Sequence, residues 1–188
     1  MRCLLSTTQG QICYNLQKKK EPVSVGKAVA FTGPSNAGKT TLIAKISILL
    51  SPCYRVAIIK NDPKDKARFD IEGKDSHIFF QTGADVIVSS PTRTTMFSHR
   101  SMDIDEMAKL FGTFDYLLVE GLKHLPLPRI GVFRGEIQPD YLDVIQAVAI
   151  DDSIDVTNYH LSDQLQILNL NNPEEVIAWI NTNAKEMG

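Results

Sequence analysis

The stretch Gly33-Pro34-Ser35-Asn36-Ala37-Gly38-Lys39-Thr40-Thr41 fills the phosphate-loop pattern G-x-x-x-x-G-K-[ST] at every fixed position. Each of those positions has a mechanical duty. The glycines let the backbone curl so that its N–H groups point inward at phosphate oxygens, where a Cβ would obstruct the approach. The Lys39 ammonium can span the β- and γ-phosphates, and the Thr40 hydroxyl can hold a magnesium ion. The flanks supply the context that so short a pattern needs. Residues 28–32 are an apolar run suited to a buried strand. Residues 39–50 are an uninterrupted helix former with a wide apolar face of Leu42, Ile43, Ile46, Ile48, Leu49 and Leu50. Strand, glycine loop and helix N-terminus in that order set the positive end of the helix under a triphosphate. The expected phosphate ligands are Gly33, Ser35, Asn36, Ala37, Gly38, Lys39, Thr40 and Thr41, with Lys39 also in a catalytic role.

Beyond this loop, strands and helices alternate. Residues 55–60, 84–89, 115–120, 129–134 and 147–150 read as short strands, and residues 76–82 and 103–111 as helices, the latter with Asp103 as a possible N-cap. A closing helix spans residues 173–185, with Asn172 as N-cap, Pro173 at its first position and Glu174 and Glu175 in its first turn. Apolar strands alternating with helices predict an α/β fold of the P-loop NTPase kind, a mostly parallel sheet flanked by helices on both faces. Residues 1–26 are polar and weakly periodic, contain Lys18-Lys19-Lys20, and read as an N-terminal extension, partly disordered or loosely docked. Residues 27–188 then form a single P-loop domain. The charged stretch 61–73 directly follows a strand, where ligand-contacting loops of parallel sheets emerge.

A phosphate loop needs a carboxylate to hold magnesium, usually at the end of a neighbouring buried strand. Tyr116-Leu117-Leu118-Val119-Glu120-Gly121 supplies it: four apolar or aromatic residues bury the strand, Glu120 ends it, and Gly121 lets the chain turn away. Thr40 and Glu120 are therefore the expected metal ligands. Asp115, at the strand's other end, is expected to be structural. Asp62 could hold a metal-bound water or orient the attacking water, or serve only as a loop aspartate. Lys60 and Lys74 are further candidates to approach phosphate, and Lys123 and His124 could reach the same face. Asp151 and Asp152 follow a late strand, where an acid could accept the N1 and N2 protons of guanine. The N-K-x-D segment of common GTPases is absent.

Bulk composition narrows the classes. With 43% hydrophobic and 22% charged residues and a formal net charge of −2, the chain has no bulk attraction to nucleic acid or an anionic membrane. No apolar stretch approaches the roughly 18–20 residues that span a bilayer, and residues 1–5 are too short for a secretory segment, so a cytoplasmic location is expected. Cys3, Cys13 and Cys53 form no C-x-x-C pair and are odd in number. Three reduced, unpaired thiols are expected.

With these residues in view, the sequence resembles the MobB family of molybdopterin-guanine dinucleotide biosynthesis adaptors. The resemblance runs through residues 31–41, Ala57-Ile58-Ile59-Lys60, Gly73-Lys74-Asp75-Ser76, Gly83-Ala84, Leu118-Val119-Glu120-Gly121 with Lys123-His124, and Pro128-Arg129-Ile130 leading to Arg134. It is good over residues 28–134 and looser beyond. Phosphate loops are shared by many families, but one combined with G-K-D-S and V-E-G-x-K is far more specific. Asn61 stands where the family usually has a histidine, and Glu72 replaces a common proline. The resemblance implies binding of GTP with Mg2+, at most weak GTPase activity, a homodimer, and action beside the guanylyltransferase MobA, which joins GMP to molybdopterin. It attaches phosphate binding to residues 33–41 and metal binding to Thr40 and Glu120. It marks Lys60, Lys74, Asp75 and Arg134 as motif residues without assigning their roles. Two other classes share the loop. A small-molecule or nucleotide kinase would transfer the γ-phosphate to an acceptor, and no acceptor lid is visible here. A metal-insertion GTPase would carry Cys/His clusters, and the sequence has none.

Overall fold

The computed structural model describes residues 25–187, so the expected extension lies outside it except for its last two residues. Gly26 already belongs to the first strand. Cys53 is disulfide-bonded, which corrects the expectation of three reduced thiols; Cys3 and Cys13 lie outside the described residues.

The described residues divide into two compact units, one of residues Asp62–Met107 and a larger one made of the other described residues. The larger unit is built on a seven-stranded sheet. In chain order its elements begin with β1 (Gly26–Thr32), α1 (Lys39–Leu50), β2 (Val56–Lys60) and, after the smaller unit, β5 (Tyr116–Glu120). They continue with β6 (Arg129–Val132), β7 (Ala147–Ile150), β8 (Gln166–Asn169), α4 (Pro173–Asn183) and β9 (Lys185–Met187). The strand order is β2-β5-β1-β6-β7-β8 with every neighbouring pair parallel. Among the described strands of this sheet only β9 runs antiparallel, beside the first residues of β1. This is the mostly parallel α/β sheet with flanking helices that the alternating pattern predicts.

The central strands β1, β5, β6 and β7 are unpatterned because both of their faces are covered, whereas β2 and β8 at the edges keep exposed residues. Val29, Phe31, Leu118, Ile130, Val132 and Ala149 pack with Leu42, Ile46 and Leu50 of α1 and Val176, Trp179 and Ile180 of α4 in one core. At about 25 cal/mol per Å2 of apolar surface, each such large side chain contributes roughly 1.5–3 kcal/mol. Residues on the other face, Val148 and Ile150, join Phe133, Ile137, Ile145 and Ile154 in a second core, against which Tyr141 and Leu142 of a 3-10 turn, Pro139–Val144, pack. Asn172 caps α4 as expected, its side-chain oxygen accepting from Glu175 N at 3.3 Å. Asp115 is structural, its Oδ2 accepting from Arg55 N at 2.8 Å.

The Asp62–Met107 unit contains α2 (Asp75–Gln81), the antiparallel pair β3 (Val86–Ser89) and β4 (Thr94–Phe97), and the first turn of α3 (Ile104–Leu110). A capping box opens α3: Glu106 N donates to Asp103 Oδ1 at 2.8 Å and Asp103 N donates to Glu106 Oε2 at 3.0 Å. Among the described residues no helix is long and apolar enough to cross a membrane.

Candidate functional site

Parallel strands bring their carboxyl ends to one edge of the sheet, and the candidate site stands there. The phosphate loop joins β1 to α1. Its backbone needs the residues it has: Gly33 has φ +138°, and a Cβ there would meet Val132 O at 2.2 Å. Gly38 has φ +99°, a conformation costly for other residues. Asn36 also lies in the left-handed region at φ +64°, which asparagine tolerates. The loop curls back so that Lys39 Nζ donates to Gly33 O at 2.9 Å and Pro34 O at 2.6 Å. Burial pushes the Lys39 ammonium below its ordinary range, partly offset by the charge of Glu120, while Lys60 pushes the same way as burial. An anion would relieve that strain on the charge.

β5 lies beside β1 with Phe31 paired to Glu120 and beside β2 with Lys60 paired to Glu120. This register delivers the Glu120 carboxylate next to the loop. Thr40 Oγ1 donates to Glu120 Oε2 at 3.2 Å, with Oε1 at 3.4 Å, and Lys60 Nζ approaches Oε1 at 3.2 Å. A hydroxyl and a carboxylate so close are the oxygen donors a hard divalent cation takes. Together Ser35, Asn36, Gly38, Lys39, Thr40, Thr41, Lys60 and Glu120 line a cavity of about 440 Å3. Gly33 and Ala37 shape the loop from below, Ala37 being buried.

Asp62 is placed in the smaller unit, where its Oδ2 accepts from Lys66 N at 2.8 Å and Ala67 N at 2.6 Å, closing a turn. Lys74 immediately precedes α2. Lys123 Nζ sits 3.6 Å over the Tyr141 ring.

Two arrangements were not foreseen. Arg129 is fully buried without a carboxylate partner among the described residues. Its guanidinium donates to Gly121 O at 2.9 Å, Leu122 O at 3.0 Å and Leu125 O at 3.1 Å, fastening the loop that leaves Glu120. A charged residue opening an otherwise apolar strand was the available signal. On the other side of the phosphate loop, Arg134 Nη1 pairs with Asp151 Oδ2 at 3.0 Å. Asp151 Oδ1 in turn accepts from Ser153 N at 3.2 Å and from the Ser153 hydroxyl. Chiefly the Ser153 hydroxyl, with the Ser153 amide and Arg134, holds the Asp151 carboxyl below the usual range. Asp151, considered from sequence as a reader of guanine, thus spends its oxygens on protein donors.

Among solved structures, the Bacillus subtilis MobB structure superposes with a TM-score of 0.66 at 22% identity, covering 84% of this chain and 98% of that one. A molybdopterin-guanine biosynthesis protein B gives 0.61 at 22% identity over 82% and 98%. A MobB homologue from Bacillus stearothermophilus gives 0.58 at 19% identity over 82% and 95%. At these identities the likeness establishes the fold, that of the P-loop NTPases. No curated protein matches the chain. The family model for molybdopterin guanine dinucleotide synthesis protein B matches residues 28–151, most of the chain and both halves of the site described above. This chain belongs to the MobB family.

Proposed function

We propose that this chain is a GTP-binding accessory protein of molybdopterin guanine dinucleotide formation, acting with the guanylyltransferase MobA in the cytoplasm. GTP sits with Mg2+ on the carboxyl edge of the sheet and is hydrolysed slowly at most. The observation that carries this reading is the convergence of Lys39, Thr40 Oγ1 and Glu120 on one cavity. Residues 33–41 would hold the phosphates, with Lys39 facing the β- and γ-phosphates. Thr40 and Glu120 would hold the metal, which neutralises phosphate charge when bound. The MobB family supports guanine over adenine. A site built for the guanine N1, N2 and O6 edge leaves those groups unpaired with adenine, at about 1–3 kcal/mol for each buried group.

A homodimer is part of the same reading. Ile87, Phe79, Ile71 and Phe69 of the smaller unit are exposed, and we propose that a second copy covers some of these apolar side chains. Competition of ATP against labelled GTP tests the base: GTP is expected to win by about a hundredfold or more, the effect of two mismatches. Comparable inhibition constants would instead revive a kinase that transfers phosphate to an acceptor. The partner half is tested with purified guanylyltransferase at limiting GTP. Neither binding nor a gain of activity on adding this chain would sink it.

A further inference from the structure

We infer that Arg134 is a phosphate-positioning residue, reaching the phosphates nearest the sugar from the flank of the loop opposite the metal-binding pair. This deepens the nucleotide-binding reading and rests on it.

The sheet order sets the geometry. β5, carrying Glu120, lies on one side of β1, and β6 and β7 lie on the other. A polyphosphate whose metal-bound end is at Thr40 and Glu120 therefore runs, toward its sugar, over the carboxyl ends of β6 and β7. Arg134 emerges there, two residues past β6, on backbone that is fixed on both sides. Phe133 N donates to Ala149 O at 3.1 Å, and Gly135 N donates to Ser153 Oγ at 2.8 Å.

The guanidinium is aimed as well as anchored. While Nη1 is held by Asp151, Nε lies 3.2 Å and Nη2 3.8 Å from the point where a Cβ on Gly38 would stand. Among the described residues neither Nε nor Nη2 makes a hydrogen bond. Gly38 is the last glycine of the phosphate loop, immediately before Lys39. The planar fork of an arginine matches two phosphate oxygens at once. Asp151 buttresses it from behind, so little side-chain freedom remains to be lost when a phosphate arrives. A pair serving only to tie β6 to β7 would not need its free nitrogens turned against the phosphate loop.

The test is titration of the full chain with GMP, GDP and GTP in Mg2+, alongside urea unfolding. Arg134→Ala is expected to weaken all three nucleotides by a similar factor, about ten- to hundredfold, the usual worth of a charge-assisted bond. Its unfolding midpoint should stay near that of the parent. Arg134→Lys should recover part of the loss, and Arg134→Gln, which can still bond Asp151, should not. Unchanged affinities in folded Arg134→Ala or Arg134→Gln overturn the inference while leaving nucleotide binding intact. So does a loss confined to GTP, which would put the side chain on the γ-phosphate. If the parent chain binds none of the three, the nucleotide-binding reading itself falls.

Discussion

Strands β1 and β5 of the larger unit bury every side chain from Ala28 to Phe31 and from Leu117 to Val119, whereas β3 of the smaller unit leaves Ile87 and Val88 exposed and β4 exposes Met96. The two regions use similar apolar residues under different rules. In the larger sheet, β1 and β5 each have a parallel neighbour on both sides, and the register of β1, β5 and β2 fixes where Glu120 and Lys60 end. A two-stranded sheet gains little stability alone. Here it is supported by α2 and by local contacts such as the Phe80–His99 stack at 3.8 Å. Positional accuracy at the phosphate loop is thus a product of burial, whereas the smaller unit leaves several of its large apolar side chains exposed.

The largest effect that would test this contrast is at Lys39. Lys39→Ala removes a cation that faces two phosphates in a partly desolvated site, and should cost about 3–5 kcal/mol of GTP binding. Its stability should hardly change, because the side chain's partners are two loop carbonyls at the sheet's edge. Calorimetric titration with GTP and Mg2+ measures it, and near-parental affinity would remove the phosphate-loop assignment.

Next in size is a paired truncation. Leu118→Ala, inside the core between α1 and the sheet, should destabilise by about 2–5 kcal/mol. Ile87→Ala in the smaller unit should stay within about 0.5 kcal/mol. Urea unfolding of both variants decides it. Equal losses would mean that apolar residues of the smaller unit hold the fold together no less than those of the sheet do.

The same contrast explains part of what was legible in the sequence, since α2, β3 and α3 also lie within a few residues of their expected bounds through local pattern and capping. Elements held by continuous burial announced themselves: β1, α1, β5, β7 and α4 lie within a few residues of their expected bounds. Elements that depend on distant neighbours did not. β8 buries only Leu168, and β9 is the polar Lys185-Glu186-Met187, made a strand by pairing with Gly26, Lys27 and Ala28. β4 alternates weakly and exists through its pairing with β3. At the site, the phosphate loop and Glu120 were readable because local pattern encodes each of them. The Arg134–Asp151 pair was not, since only the parallel pairing of β6 with β7 brings those residues together.

A smaller effect is expected at the metal end. Glu120→Gln keeps shape and hydrogen bonding to Thr40 but deletes the charge that a hard divalent cation needs. Magnesium stimulation of GTP binding should disappear. Affinity without metal should move by less than about 0.5 kcal/mol, as for a partly exposed substitution. Parallel titrations with and without Mg2+ measure both quantities. Stimulation equal to the parent's would make Glu120 merely a strand end.

The smallest effect lies at the opposite end of β5 and shows only in alkali. Tyr116 is buried, its hydroxyl donating to Asn181 Oδ1 at 2.7 Å and its ring meeting Tyr54 edge-on at 5.3 Å. Burial first, then the neighbouring Tyr54 and Asp115, push its ionisation from 10.0 up to about 12. The unfolded chain therefore releases the phenolic proton before the native chain does. Above pH of about 10 the unfolded state binds fewer protons than the native one, so stability falls as pH rises, and this loss is complete only near pH 12. Tyr116→Phe has no proton to release and should show a shallower decline between those limits, despite losing the bond to Asn181. Tyr54 is present in both proteins, so the difference between their profiles isolates Tyr116. Urea unfolding of the two chains at a series of alkaline pH values reads that difference directly. Superimposable slopes would mean that the Tyr116 hydroxyl reaches solvent and that this end of β5 is less tightly enclosed than its carboxyl end.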